Sequence, residues 1–150
     1  MTKPNNLYFS TKEAIKIHDD LVIAISGGLS GTLDKGRLES VFSHIKNDDY
    51  YPTFEEKLTR LIFATAMFHM FRDGNKRSSL AFGTYFLKIN GYDYLTDYFL
   101  QEMENIVLWL AMHLIDEQLL REIITSIVIF DEITEDIKLK IALSVEQNSN

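Results

Sequence analysis

Thr53-Phe54-Glu55-Glu56-Lys57-Leu58-Thr59-Arg60-Leu61-Ile62-Phe63-Ala64-Thr65-Ala66-Met67-Phe68-His69-Met70-Phe71 is the stretch on which the fold turns. Thr53 with Glu56 three places on has the form of a capping box, which predicts a helix start. From Leu58 to Phe71 only Thr59, Arg60, Thr65 and His69 are polar. Apolar residues therefore cover every face of the second half, and a helix of that kind must be central and surrounded by others.

The flanking segments supply the surrounding helices. Ser10 and Glu13 form a second capping box, followed by Ile15, His18, Leu21, Val22 and Ile25 at helical spacing, which predicts a helix over about 11–26 closed by Gly27-Gly28. Asp34 can cap a helix to about Ile45 with Leu38, Val41, Phe42 and Ile45 inward. Pro52 disfavours helix at Tyr51, so the polar run before the central helix is a loop or a short hairpin. Further helices are predicted from about Asn75 to Asn90-Gly91, from Thr96 or Asp97, from Asp116 to about Phe130, and from Thr134 to about Val145. Ile123 to Phe130 is β-branched enough to suit a strand as well. Period-two alternation is sustained nowhere, so the fold class is all-α, a compact bundle of about six to seven helices.

At 150 residues the chain is about one domain's length, and it is expected to form a single domain over 1–150. Its 46% hydrophobic content can fill one core, while 7 Gly, 2 Pro and no Cys exclude collagen, a disulfide scaffold, zinc fingers and thiol nucleophiles. No apolar signal core precedes Asn6, and a cytoplasmic location is expected. The net charge of -7 argues against nucleic acid or a membrane as partner. That charge is uneven: residues 1–90 hold 12 basic and 10 acidic residues, residues 91–150 only 3 basic and 12 acidic. The aromatics fall mainly at core spacing and read as packing; Tyr92, Tyr94 and Tyr98, just after the helix predicted from Asn75, are placed to approach an adenine as an alternative to packing.

His69-Met70-Phe71-Arg72-Asp73-Gly74-Asn75-Lys76-Arg77 breaks the local rules. A helix start carries the positive end of the macrodipole and favours Asp or Glu. Here Lys76 and Arg77 stand there instead, an arrangement that an anion such as phosphate would resolve. Gly74 lets the backbone approach that anion. Asp73 offers a hard carboxylate for Mg²⁺, and His69, at the end of the preceding helix, is the residue type suited to removing a hydroxyl proton. By contrast, His18 shares a face with Ile15, Val22 and Ile25, and reads as a core histidine rather than as one half of a metal-binding His-Asp pair with Asp19.

These nine residues resemble the signature of the Fic/Doc (Fido) family, H-x-F-x-[D/E]-[G/A]-N-x-R, and His69, Phe71, Asp73, Gly74, Asn75 and Arg77 fill every defined place. In the AMP-transferring Fic branch the place of Lys76 is a Gly, and a second Arg stands where this chain has Leu80. Both departures resemble the Doc (death-on-curing) branch, whose toxins are kinases. Gly27-Gly28-Leu29-Ser30-Gly31 with Asp34, Gly36 and Leu38, and Tyr51-Pro52, resemble Doc as well. The resemblance covers a core of about 8–128 and leaves an acidic extension, 131–150, without a counterpart.

The resemblance implies a Fido-type bundle that transfers the γ-phosphate of ATP, with Mg²⁺, to a Ser/Thr hydroxyl of a target protein such as elongation factor Tu. It implies His69 as catalytic base, Phe71 as the structural anchor of the motif, Asp73 as metal ligand, and Gly74, Asn75, Lys76 and Arg77 as the phosphate cradle. Lys46, Asn47, Asp48, Asp49, Tyr50, Tyr51, Pro52 and Thr53 would form a flap that docks the target. No Ser or Thr is followed four places on by Glu and then Gly or Asn, the mark of an inhibitory helix in cis. A separate antitoxin in trans is therefore expected. AMP transfer, and a Fido-fold interaction module without catalysis, are the alternatives.

Overall fold

The computed structural model describes residues 5–149. The expectations for Met1–Pro4 and for Asn150 lie outside the described residues. Seven helices and one 3₁₀ turn account for the regular structure, with no strand among the described residues. The all-α expectation holds.

Helix α1 spans 11–26 and changes winding along its length: Thr11–Lys16 is α-helical, Ile17–Ile23 is wound as a π-helix, and Ala24–Ser26 returns to α. Ser10 and Glu13 make the reciprocal capping box. Then follow α2 (Lys35–His44), α3 (Phe54–Met67), α4 (Asn75–Ile89), the 3₁₀ turn Asp93–Leu95, α5 (Thr96–Ala111), α6 (Glu117–Phe130) and α7 (Glu135–Asn148). Asp34 and Asp116 cap α2 and α6 through their carboxylates. Thr53 caps α3 by accepting from the Glu56 amide at 3.1 Å, without the return bond that a full capping box requires.

Helix α3 is the central helix, in contact with α2, α4, α5 and α6. Leu58, Leu61, Ile62 and Ala64 are wholly buried. Its inward hydroxyls are satisfied locally: Thr59 donates to the Glu55 carbonyl and Thr65 to that of Leu61, each at 2.7 Å. Each fully buried Leu or Ile contributes about 1.5–3 kcal/mol, so this helix organises the bundle.

The sequence reading carries α3 on towards Phe71, but the helix stops at Met67, and His69 lies in the following loop with φ 51°. The backbone of residues 70–72 pairs with another segment instead. Leu33 N–H donates to the Met70 carbonyl at 2.9 Å and Arg72 N–H to that of Gly31 at 3.0 Å, around an antiparallel bridge between Thr32 and Phe71. The β-branched run Ile123–Phe130 is helical because Ile123, Ile124, Ile127 and Val128 form the buried face of α6.

The acidic extension packs on the bundle. Ile133, Ile137 and Ile141 belong to the same core cluster as the central helix, and the helix runs to Asn148 rather than stopping near Val145. Tyr98 accepts the Ile133 N–H at 2.8 Å, and Tyr92 stacks on Phe54 at 5.0 Å, so both serve packing. Among the described residues no helix is long and apolar enough to cross a membrane.

Candidate active site

The loop 69–77 joins α3 to α4 and gathers the motif at one end of the bundle. His69 is exposed at its entry. A left-handed backbone at a non-glycine residue costs about 1–2 kcal/mol, and histidine tolerates it better than most residues. The preceding ring, Phe68, lies under two guanidinium groups, Arg37 at 5.3 Å and Arg60 at 5.1 Å, which fixes the end of α3 just before His69.

Phe71 is wholly buried and holds the loop to the core. Its ring stacks on His18 at 4.1 Å and meets the edge of Phe82 at 5.9 Å. Its backbone is braced by Asn75, whose Oδ1 accepts the Phe71 N–H at 3.1 Å and whose Nδ2 donates to the Phe71 carbonyl at 3.0 Å. The Asn75 side chain is thus committed to shaping the loop, which leaves its backbone N–H, at the start of α4, for any phosphate.

Helix α4 opens on Gly74, at φ 71° and ψ 24°, with no side chain capping it. A Cβ at this position would sit 3.1 Å from Ile23 and 3.3 Å from Val22, so both conformation and space ask for glycine. Lys76 and Arg77 are exposed in the first turn, and neither they nor Arg72 has an ion-pair partner among the described residues. Unpaired cations and uncapped N–H groups at one helix start are features that a bound anion would neutralise, which makes this a candidate anion site.

Asp73 stands beside that site. Its Oδ1 accepts the Gly74 N–H at 2.9 Å and its Oδ2 the Leu29 N–H at 3.2 Å. These two backbone donors, Gly74 above all, hold its carboxyl below the ordinary value of 3.8; desolvation opposes them, while the charges of Arg77 and His18 assist. Because the folded value is the lower one, the associated stabilisation is in force above pH 3.8 and is lost as pH falls through the lowered value. An NMR titration of the Asp73 carboxyl carbon is expected to give a midpoint below 3.8. A midpoint at or above that value would show that the backbone donors do not hold the ionised form.

The segment that covers this loop and the histidine beneath it lie outside the nine-residue motif, yet both shape the site. Gly28 lies at φ 110°, and a Cβ there would come 2.6 Å from Asp73 Oδ2, so only glycine lets the 27–31 turn close on the carboxylate. His18 is fully buried, as its helical face implied, yet its Nε2 donates to the Asp73 carbonyl at 2.6 Å. The sequence signal was the pairing of a buried histidine with an adjacent Asp19 shortly before a glycine-rich turn.

Residues 46–53 form a run of turns rather than a hairpin. Their polar contacts lead to the start of α3: the buried Lys57 donates to the Ile45 carbonyl and to Asp48 Oδ1, each at 2.8 Å. Asn47 closes the turn by accepting the Asp49 N–H at 2.9 Å. The segment that the backbone pairs directly with the motif is 31–34. An open apolar groove of about 900 Å³ between α1 and α4 begins at Arg77 and extends to Lys88, and none of residues 69–76 lines it.

A model of the Fic/DOC family matches residues 8–87. Protein kinase doc of Escherichia phage P1 is 36% identical over 88 residues, an alignment that covers 56% of this chain and 68% of that protein. The family match takes in α1 to α3, the glycine turn, the whole loop 69–77 and nearly all of α4. With more than half of the chain matched and the complete motif inside the match, the chain belongs to the Fic/DOC family.

Proposed function

We propose that the protein is a Doc-type toxin kinase, which transfers the γ-phosphate of ATP to a Ser or Thr hydroxyl of a target protein. The observation that carries this reading is the uncapped start of α4, where Lys76 and Arg77 are unpaired beside an ionised Asp73, one loop away from an exposed His69. The relative from phage P1 bears the name protein kinase, which supports the same reaction class.

Phosphoryl transfer requires positioning and charge stabilisation more than covalent chemistry from the protein. The N–H groups at the start of α4, with Lys76 and Arg77, would bind the phosphates. His69 takes the proton of the acceptor hydroxyl as its oxygen attacks the γ-phosphorus; the new O–P bond forms as the bond to the ADP oxygen breaks. Asp73 would hold Mg²⁺, and it fits that ion: the carboxylate is a single hard oxygen donor, exposed and ionised. Such a donor suits an ion whose remaining ligands are phosphate oxygens and water. The ion that Asp73 would hold there would supply neutralisation of charge on the phosphates.

Lys76, in place of the glycine of AMP-transferring relatives, adds bulk and charge to the cradle, which favours a nucleotide bound with its γ-phosphate towards the acceptor. ATP labelled separately at the α- and γ-phosphates tests this. Label is expected on protein only from the γ position, and Lys76→Gly is expected to lower that transfer by about tenfold or more, since a charge-assisted phosphate contact is lost. Label from the α position alone would establish AMP transfer instead. Absence of Mg²⁺-dependent ATP binding would favour an interaction module. Elongation factor Tu as acceptor, a separate antitoxin partner and a cytoplasmic site of action belong to the same proposal.

A further inference from the structure

His18 has more structure built around it than a packed core histidine needs. It is fully buried, and each ring nitrogen faces an oxygen: Nε2 lies 2.6 Å from the Asp73 carbonyl and Nδ1 2.7 Å from Asp19 Oδ1. Asp19 Oδ1 also accepts the Gly31 N–H at 3.2 Å, so the histidine and its neighbour join α1, the glycine turn and the motif loop. The ring lies flat on Phe71, with an interplanar angle of 11°. All of this occurs within the π-wound part of α1, a distortion frequent at functional sites.

The Asp73 carbonyl and the Gly74 N–H belong to one peptide unit, and in a trans peptide they point in opposite directions. With the carbonyl held inward on His18, the N–H must face outward, where Asp73 Oδ1 accepts it at 2.9 Å. Gly74 is the residue best able to let this unit rotate, because a glycine backbone has the widest freedom. A buried hydrogen bond to the carbonyl is therefore what selects one orientation.

On the reading of this site as a nucleotide-phosphate cradle, we infer that His18 is a positioning residue for phosphate binding: through the Asp73 carbonyl it fixes the 73–74 peptide plane and so, through the Gly74 N–H that Asp73 Oδ1 accepts, sets the Asp73 carboxylate and the start of α4 towards the nucleotide. Two substitutions separate this role from packing. His18→Gln places an amide N–H near the position of Nε2 and can still reach the Asp73 carbonyl. His18→Asn reaches only as far as Nδ1 and cannot. Both remove the ring and its stacking on Phe71.

Hydrogen exchange of the peptide covering residues 71–76, measured without nucleotide or metal, is expected to speed up by about tenfold in His18→Asn and to stay within about threefold of the wild type in His18→Gln, the scale of one hydrogen bond. Calorimetry with Mg²⁺ and ATP is expected to show the same order, with affinity lowered by about tenfold in the Asn variant and largely rescued in the Gln variant. Equal exchange in the two variants would overturn the inference, whatever their affinities. An exchange contrast with no ATP binding by the wild type would overturn the nucleotide reading and the aim assigned to the peptide, and leave only a loop clamp. Should either variant fail to fold, Asp19→Ala decides, because it removes the oxygen that faces Nδ1, at a side chain 32% exposed. Faster exchange over residues 71–76 supports the clamp, and unchanged exchange overturns it.

Discussion

Replacing His69 by alanine is expected to lower γ-phosphate transfer by about 10²- to 10⁴-fold, the range that a general base supplies, while nucleotide affinity stays at the wild-type value. The separation follows from the site's layout. His69 is exposed and its side chain has no hydrogen-bond partner among the described residues, whereas the proposed phosphate contacts come from the far side of the loop. His69→Asn is a suitable companion, because asparagine also tolerates the left-handed backbone found here. It should therefore keep the loop's shape and remain as inactive as the alanine variant. Rapid single-turnover transfer by either variant would remove His69 from the chemistry. Loss of ATP binding in both would mean that the histidine holds the cradle together and does not act as a base.

Phe71→Ala carries the largest expected effect on stability, about 3–5 kcal/mol. The ring is wholly buried, and its removal leaves a cavity between His18 and Phe82, directly under the motif loop. Measured by urea or thermal unfolding, such a loss is a large share of the 5–15 kcal/mol typical of a domain, and it corresponds to a melting temperature lower by roughly 10 °C. Phe71→Leu, which fills most of the volume, should recover about half of that loss or more. A cost below about 1 kcal/mol for the alanine variant would show that the motif loop is not anchored through this side chain.

Four helix starts were legible because each rests on one local residue. Ser10, Asp34, Thr53 and Asp116 accept from a backbone N–H three residues on, a relation written within a few positions of sequence. The motif was legible for the opposite reason: Lys76 and Arg77 contradict the local preference of a helix start, and such a contradiction points to a ligand. The end of α3 was not legible. Phe68, Met70 and Phe71 prolong the apolar pattern beyond Met67, and nothing in the residue types marks His69 as left-handed. The halt comes from backbone pairing with residues 31–34, a tertiary event.

The role of His18 was hidden in the same way. Its burial could be read from helical spacing, but its partner is a carbonyl 55 residues away, and carbonyls carry no residue identity. Asn75 shows a subtler case. Its place in the motif was plain, but its amide serves the backbone of Phe71 and so acts on the site by shaping it.

The π-wound stretch of α1 also makes chain length itself part of the site. Ile17–Ile23 accommodates a wider turn than the α-helix on either side, in the manner of a single inserted residue. Deleting a residue such as Asp20 would let α1 close into uninterrupted α-helix without loss of helical content, but it would turn one end of the helix relative to the other by about 100°. Either His18 would swing off the Asp73 carbonyl or Val22, on the other side of the deletion, would leave the core. Substitutions at exposed positions such as Asp20 and Leu21 can therefore be absorbed one at a time, whereas a change of register cannot, and natural variants of this chain should vary in residue type at 20 and 21 far more freely than in the number of residues over 17–23.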